Sequence, residues 1–306
     1  MATSVFAMPL GEALIRQHQI VAVYTRPDRH TGRGRGMGMS PVKNWALARG
    51  LAVYQPDTLK PAGVVAELRS LAPELIVVAA FGLLLPKAVL SLPRWGCLNL
   101  HPSLLPRWRG PSPVAAALLA GDEVSGVSLM LLDEGMDTGP ILAQANSPIS
   151  EEDTTASLTA RLAELAAKLA LEALPRWVSE EIIPQPQDPD QATYSRLLKK
   201  EDGELDWHLS ARELGRRVRA FTPWPGAYTA WQGKRLRILQ AVPLPGEAGE
   251  PGWVSEYPGG VGVGTGEGLL GLKVLQVEGR RPLPLEEFLR GQRGFIGSCL
   301  GEGTNP

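Results

Sequence analysis

The spacing of apolar and polar positions changes three times along the chain, and each change predicts a different kind of element. Residues 75–81 (LIVVAAF) are apolar without alternation, the pattern of a strand covered on both faces of a parallel sheet. Residues 20–25 (IVAVYT), 51–54 and 97–100 read as further strands. Between them, helical spacing predicts helices over 42–49, 62–71, 86–90 and 114–120. Another helix starts near Pro9, with Leu10, Ala13 and Leu14 on one face. This βαβα rhythm implies a doubly wound, mostly parallel α/β sheet of the Rossmann-like kind. Leu158, Leu162, Leu165 and Leu169 then mark one long helix over 155–178, with Asp153 or Thr154 as its cap. Three prolines and mixed charge after 182 read as a linker. From there a helix over 211–221 is followed by short strand patterns separated by glycine turns (AYTAW, RLRILQAV, WVSEY, LLGLKVLQV), which suggest a small β-barrel. The expected organisation is a first domain over 1–181, a linker over 182–204 and a second domain over 205–306.

Polar chemistry concentrates where the first sheet should end. Residues 97–110 (CLNLHPSLLPRWRG) leave a strand and enter a loop that Pro102 and Pro106 keep irregular. Ligands of open α/β sheets bind at such carboxyl ends. In an extended backbone Asn99 and His101 share a face. An amide and an imidazole there can hold and polarise a carbonyl oxygen. A carboxylate partner would come from residues 131–142 (LLDEGMDTGPIL), where Asp133, Glu134 and Asp137 all qualify. The plainer alternative makes His101 a satisfied core histidine and Asp137 a turn residue.

Composition narrows the classes. The 306 residues carry a net charge of −1, so a nucleic acid would have to meet a local patch rather than a global positive field. One such patch is the loop over 26–43, where Arg26, Arg29, Arg33, Arg35 and Lys43 alternate with four glycines. It fails the dinucleotide fingerprint and lacks the phosphate-loop lysine, leaving a cationic arm for RNA or a solvated surface loop. Arg216, Arg217 and Arg219 lie on the 211–221 helix, where a solvated helix face is the plainer alternative. Two cysteines offer neither a disulfide framework nor zinc spacing, which fits a reducing cytoplasm. No signal peptide or membrane span is read.

Two blocks, NLHPSLLPRWRG (99–110) and DEGMDTG (133–139), closely resemble the 10-formyltetrahydrofolate-dependent formyltransferases. QPDTLK (55–60), AFGLLLP (80–86), the GRGRG loop, VRAFTPWPGAY (218–228) and LQVEGRRPLPLEEFLRG (275–291) are similar, within that superfamily, to the methionyl-tRNA formyltransferases. The resemblance implies a catalytic trio of Asn99, His101 and Asp137, and folate contacts from Ser103, Leu104, Leu105 and Pro106. It also implies an arginine loop, with Arg33 and Arg35, that reads the tRNA acceptor end, and an OB-like second domain that helps hold tRNA. The implied reaction moves the formyl group of 10-formyltetrahydrofolate to the α-amino group of methionyl initiator tRNA. It passes through a tetrahedral intermediate stabilised by Asn99 and His101 with Asp137 assisting. It implies no metal, and a cytoplasmic monomer is expected.

The start of the chain departs from the family. The family opens with a strand that ends in Gly-Thr-Pro-x-Phe-Ala, whereas residues 2–7 (ATSVFA) supply only the end of that block. A missing central strand would leave its two neighbours with unpaired ladder groups, and the expectation is a native start a few codons upstream. Sugar-nucleotide formyltransferases and formyltetrahydrofolate hydrolase-type enzymes share the N-terminal motifs and remain the alternative enzymes. The non-enzyme alternative is a folate- or RNA-binding remnant.

Overall fold

A computed structural model describes residues 1–30, 37–244, 246, 249–257 and 260–301. Its chain forms two units, one of Met1–Pro113, Val124–Pro148 and Thr159–Ser195, the other of Val114–Glu123, Ile149–Leu158 and Arg196–Pro306. The elements before residue 180 are α1 (Met8–Gln17), β1 (Val23–Tyr24), β2 (Arg29–His30), β3 (Met37–Gly38), α2 (Pro41–Leu47), β4 (Val53–Tyr54), α3 (Ala62–Ser70), β5 (Ile76–Val78), α4 (Lys87–Leu90), β6 (Cys97–His101), α5 (Pro113–Ala120), β7 (Val124–Leu131), β8 (Ile141–Pro148) and α6 (Thr155–Val178).

In the first unit β1 pairs with β4 and β5 with β6, both in parallel, as the unbroken apolar runs predict. β7 and β8 then extend the sheet antiparallel, giving the order β5-β6-β7-β8. The strand β8 was not legible beforehand, because ILAQANSP mixes apolar, amide and hydroxyl positions. Its burial alternates, as suits a strand with one covered face. Tyr24, Leu59, Val65, Leu68, Ile76, Val78, Phe81, Val89 and Cys97 form one continuous core around β1 and β5. Local chemistry sets the helix starts: at α2 the Ser40 hydroxyl accepts from the Lys43 amide while Pro41 occupies the first turn.

The second unit contains α7 (Ala211–Ala220), β9 (Tyr228–Trp231), β10 (Lys234–Leu244), β11 (Val254–Tyr257), β12 (Gly260–Gly264), β13 (Leu269–Val277), β14 (Leu283–Pro284) and α8 (Leu285–Gly291). Its strands make one antiparallel sheet in the order β11-β12-β13-β10-β9, with β14 on β13. This is the OB-like architecture expected from the short strands and turns. Trp207, Trp231, Phe288 and Phe295 anchor its core. A capping box between Ser210 and Glu213 starts α7. Among the described residues no helix is long and apolar enough to cross a membrane.

The unpaired ladder groups expected at the N-terminus are partly paired. Residues 1–3 run extended between β1 and β5: Ala2 N–H donates to the Tyr24 carbonyl at 2.9 Å, and Ala79 N–H donates to the Met1 carbonyl at 3.0 Å. Thr3 N–H reaches Ala80 O at 3.2 Å, and the Met1 amine donates to Val77 O at 2.7 Å. The rest of the slot is a cavity of about 170 Å³ lined by Ile20, Ala22, Trp45, Leu68, Leu75 and Val77, among others. Burial in this apolar place pushes the Met1 amine down from 8.0 to about 5.

Because the unfolded chain binds this proton more tightly, stability must fall as pH drops from 8 towards 5. In the polypeptide that starts at Met1, urea unfolding at both pH values should show a loss of roughly 2 to 4 kcal/mol from this group. Acetylating the amine should remove that part of the slope; identical slopes before and after acetylation would contradict the burial of a neutral amine.

Candidate functional site

Strand β6 carries the centre of the site. It is extended from Cys97 to His101, so Asn99 and His101 lie two positions apart on one face. His101 is buried, and its Nε2 lies 2.9 Å from the carbonyl oxygen of Trp108. A carbonyl only accepts, so Nε2 carries the proton. The other ring nitrogen, Nδ1, faces Asp137 Oδ2 at 3.7 Å. The Asn99 side-chain amide makes no hydrogen bond to protein among the described residues and is only partly covered, which leaves its N–H groups for a ligand oxygen. At the opposite end of the strand, burial pushes the Cys97 thiol up to about 12, so it is inert as a nucleophile.

The three acidic candidates separate cleanly. Asp133 caps its own turn, accepting from Gly135 N–H at 3.0 Å and from the Thr138 hydroxyl. Glu134 is exposed and stands 3.6 Å from Lys87. Asp137 alone turns inward, with φ +54°, in the left-handed region where Asp is among the tolerated residues. Its Oδ2 accepts from Gly110 N–H at 2.8 Å. Gly110 itself sits at φ +105°, and a Cβ there would stand 2.6 Å from the Ser195 carbonyl oxygen. Only glycine lets that N–H reach the carboxylate.

The Ser103 to Pro106 segment is fixed from below by two residues the sequence reading did not single out. Ser128 on β7 is fully buried; its hydroxyl donates to Ser103 O at 2.7 Å and accepts from Leu105 N–H at 3.0 Å. Gln144 on β8 donates to that hydroxyl at 2.8 Å and to Leu105 O at 2.9 Å. Ser103 and Leu105 are thereby buried, while Leu104 and Pro106 keep partly open side chains. A lone Ser in an apolar strand and a Gln in a mixed one carry no distinguishing signal in a single sequence. Their role emerges only from strand register, which sets Ser128 opposite both His101 and Gln144.

Residues 182–195, read from sequence within a linker, return to the first unit and brace both loops. Gln185 and Ile141 exchange backbone hydrogen bonds at 2.8 Å, and Arg109 N–H donates to Thr193 O at 2.9 Å. Ser195 N–H donates to Arg109 O at 2.7 Å, and the Thr193 hydroxyl accepts from Trp108 N–H. Arg33 and Arg35 lie outside the described residues. The described residues on either side form β2 and β3, paired antiparallel.

Two family descriptions match this chain: "Formyl transferase" over residues 3–174 and "Formyl transferase, C-terminal domain" over residues 197–293. A methionyl-tRNA formyltransferase of Dehalococcoides mccartyi is 49% identical over 306 residues, spanning 98% of this chain and 97% of that one. Among solved structures, HypX from Aquifex aeolicus in complex with tetrahydrofolic acid aligns with a TM-score of 0.59 at 23% identity, covering 82% of this chain and 45% of that chain. The sugar 3N-formyl transferase WlaRD, solved in the presence of dTDP and 5-N-formyl-THF, aligns with a TM-score of 0.67 at 15% identity, covering 92% and 97%. At these identities both structures speak to the fold.

Replacing Ser128 with Ala would strand a buried N–H at Leu105 and a buried carbonyl at Ser103. Ser128→Ala should therefore lower the unfolding free energy by about 1 to 3 kcal/mol, measured by urea denaturation. A loss under about 0.5 kcal/mol, the range of an ordinary surface change, would show that the hydroxyl does not hold the segment.

Proposed function

The chain belongs to the methionyl-tRNA formyltransferase branch of the formyl transferase family, and we propose that Asn99, His101 and Asp137 perform its chemistry. It transfers the formyl group of 10-formyltetrahydrofolate to the α-amino group of methionyl initiator tRNA. The observation that carries the residue assignment is the inward Asp137 carboxylate, held by Gly110 N–H and facing the Nδ1 of a buried histidine. The Asn99 amide on the same face, without a hydrogen-bond partner among the described residues, suits a carbonyl oxygen as ligand.

The folate supplies the formyl carbon and a nitrogen that leaves carrying a proton. The acceptor amine, with an ordinary pKa near ~7.7–8.0, needs no activation to be a nucleophile. The protein's task is to stabilise charge on the formyl oxygen and to move one proton. Asn99 donates to that oxygen, where preorganised donors act most strongly, and the His101 ring joins it only once it carries a proton at Nδ1. Because Trp108 holds the Nε2 proton, the proton that His101 gives or takes is at Nδ1, on the Asp137 side. The amine nitrogen bonds to the formyl carbon, the bond from that carbon to the folate nitrogen breaks, and the amine proton passes to the departing nitrogen with Asp137 as relay.

Ser103, Leu104, Leu105 and Pro106 hold the folate in this reading, with Leu104 and Pro106 offering the apolar contacts. Arg33 and Arg35 meet the tRNA acceptor end, and residues 205–306 form the domain that helps hold tRNA beyond a 182–204 connection. A cytoplasmic monomer completes the reading. Two free cysteines among the described residues accord with a reducing compartment.

Formyl transfer measured with methionyl initiator tRNA, with a dTDP-linked amino sugar, and with no acceptor tests the assignment. Only the tRNA should be formylated above background. Transfer to the amino sugar, or folate hydrolysis, at a matching rate would overturn the acceptor. Asp137→Asn should lower turnover on the tRNA by about 10²- to 10⁴-fold, with folate affinity changed by less than about threefold. Near-normal turnover would remove Asp137 from the mechanism.

A further inference from the structure

Asp137 is gripped twice by the same short piece of chain. Its carboxylate accepts from the backbone N–H of Gly110 at 2.8 Å. Its backbone carbonyl accepts from Gln187 Nε2 at 2.8 Å, and the same amide nitrogen donates to Gly139 O at 2.7 Å. The Gln187 amide oxygen in turn accepts two N–H groups from the Arg109 guanidinium, Nε at 3.0 Å and Nη2 at 2.8 Å. Arg109 precedes Gly110 directly, so the path from the Asp137 side chain through Gly110, Arg109 and Gln187 back to the Asp137 backbone is closed. Arg109 is 4% exposed, and its backbone is paired on both sides, to Thr193 and to Ser195. The loop therefore hangs on a fixed post.

We infer that Gln187 is a positioning residue for formyl transfer: it sets the distance of Asp137 from the His101 ring by tying both carbonyls of the Asp137 turn to Arg109. The chemistry requires an amide. Arg109 has only donors to give, and the two carbonyls can only accept. Of the neutral side chains that reach this far, glutamine presents an acceptor to one and a donor with two hydrogens to the other. The stake is geometric, because a left-handed residue between Gly135 and Gly139 has few other constraints on its carbonyl. An error of about 1 Å at a reacting group can lower a rate by about 10²-fold.

The inference rests on the assignment of Asp137 above, and a double-mutant cycle on the full chain separates the two. Gln187→Glu keeps an acceptor for Arg109 but turns an anionic oxygen towards two carbonyls. Gln187→Asn keeps the amide but withdraws it by about 1.5 Å, the length of one carbon–carbon bond. Both variants, should either fold poorly, leave the other as the test, with the thermal midpoint reporting the fold. Single-turnover formyl transfer to methionyl initiator tRNA should slow by about 10- to 100-fold in each, with the folate and tRNA concentration dependences changed by less than about threefold. In an Asp137→Asn background, Gln187→Glu should add no further loss. Wild-type rates in both Gln187 variants, with Asp137→Asn still slow, would overturn the positioning role alone. A further 10-fold loss on top of Asp137→Asn would overturn it by showing that Gln187 acts elsewhere. Normal rates in Asp137→Asn itself would overturn both the inference and the residue assignment on which it rests.

Discussion

Two loops distant in sequence must meet for the carboxylate of Asp137 to face the ring of His101, and a peptide N–H bonds that carboxylate directly. Gly110 supplies it, in a backbone conformation and a space that admit no side chain. The strand β6 fixes one partner, since register with β5 and β7 sets where His101 emerges. Trp108 fixes the ring by accepting from Nε2. The polarity of the imidazole is thus decided by a backbone carbonyl before any substrate arrives, and in the chemistry we propose the nitrogen left for proton traffic is the one beside the acid. Electrostatic catalysis gains most from groups held in this way, because they need not reorganise as charge develops.

The same economy of backbone bonds holds the segment that precedes the site. The Ser103 carbonyl and the Leu105 backbone pair with Ser128 and Gln144, and Ser103 N–H donates to His101 O, so the loop carries no unpaired buried amide at those positions. Its neighbours Leu104 and Pro106 are left partly open. A loop without regular structure can present apolar contacts at fixed positions only if its own hydrogen bonds are satisfied. The antiparallel extension β7-β8 is what delivers those partners, and residues 182–195 brace the other side.

Much of this was legible in the sequence, for identifiable reasons. The unbroken apolar run at 75–81 and the leucine spacing of 155–178 follow from burial on two faces and on one stripe, and both elements form there. Asn99 and His101 could be placed on one face because alternation along a strand is fixed by geometry. Choosing among Asp133, Glu134 and Asp137 was beyond pattern alone. Each sits in the same turn, and which one faces inward depends on a left-handed backbone that no periodicity reveals. The strand β12 (GVGVG) was missed because glycine carries no apolar signal, and Ser128, Gln144 and Gln187 because their partners lie tens of residues away. The pairing at the N-terminus was not legible because three residues are too few to show a strand pattern, yet they are enough to make four backbone bonds at the end of the slot.

The central claim is that the Trp108 carbonyl fixes the proton of His101 on Nε2 and reserves Nδ1 for Asp137. Nitrogen-15 chemical shifts of the imidazole in labelled protein test it directly, with His101 identified among the four histidines by its loss in His101→Gln. The neutral ring should show a protonated nitrogen at Nε2 and a lone-pair nitrogen at Nδ1, and acidification should add its proton at Nδ1. A neutral ring protonated at Nδ1 would contradict the account, because Nε2 would then have no proton to give the Trp108 carbonyl.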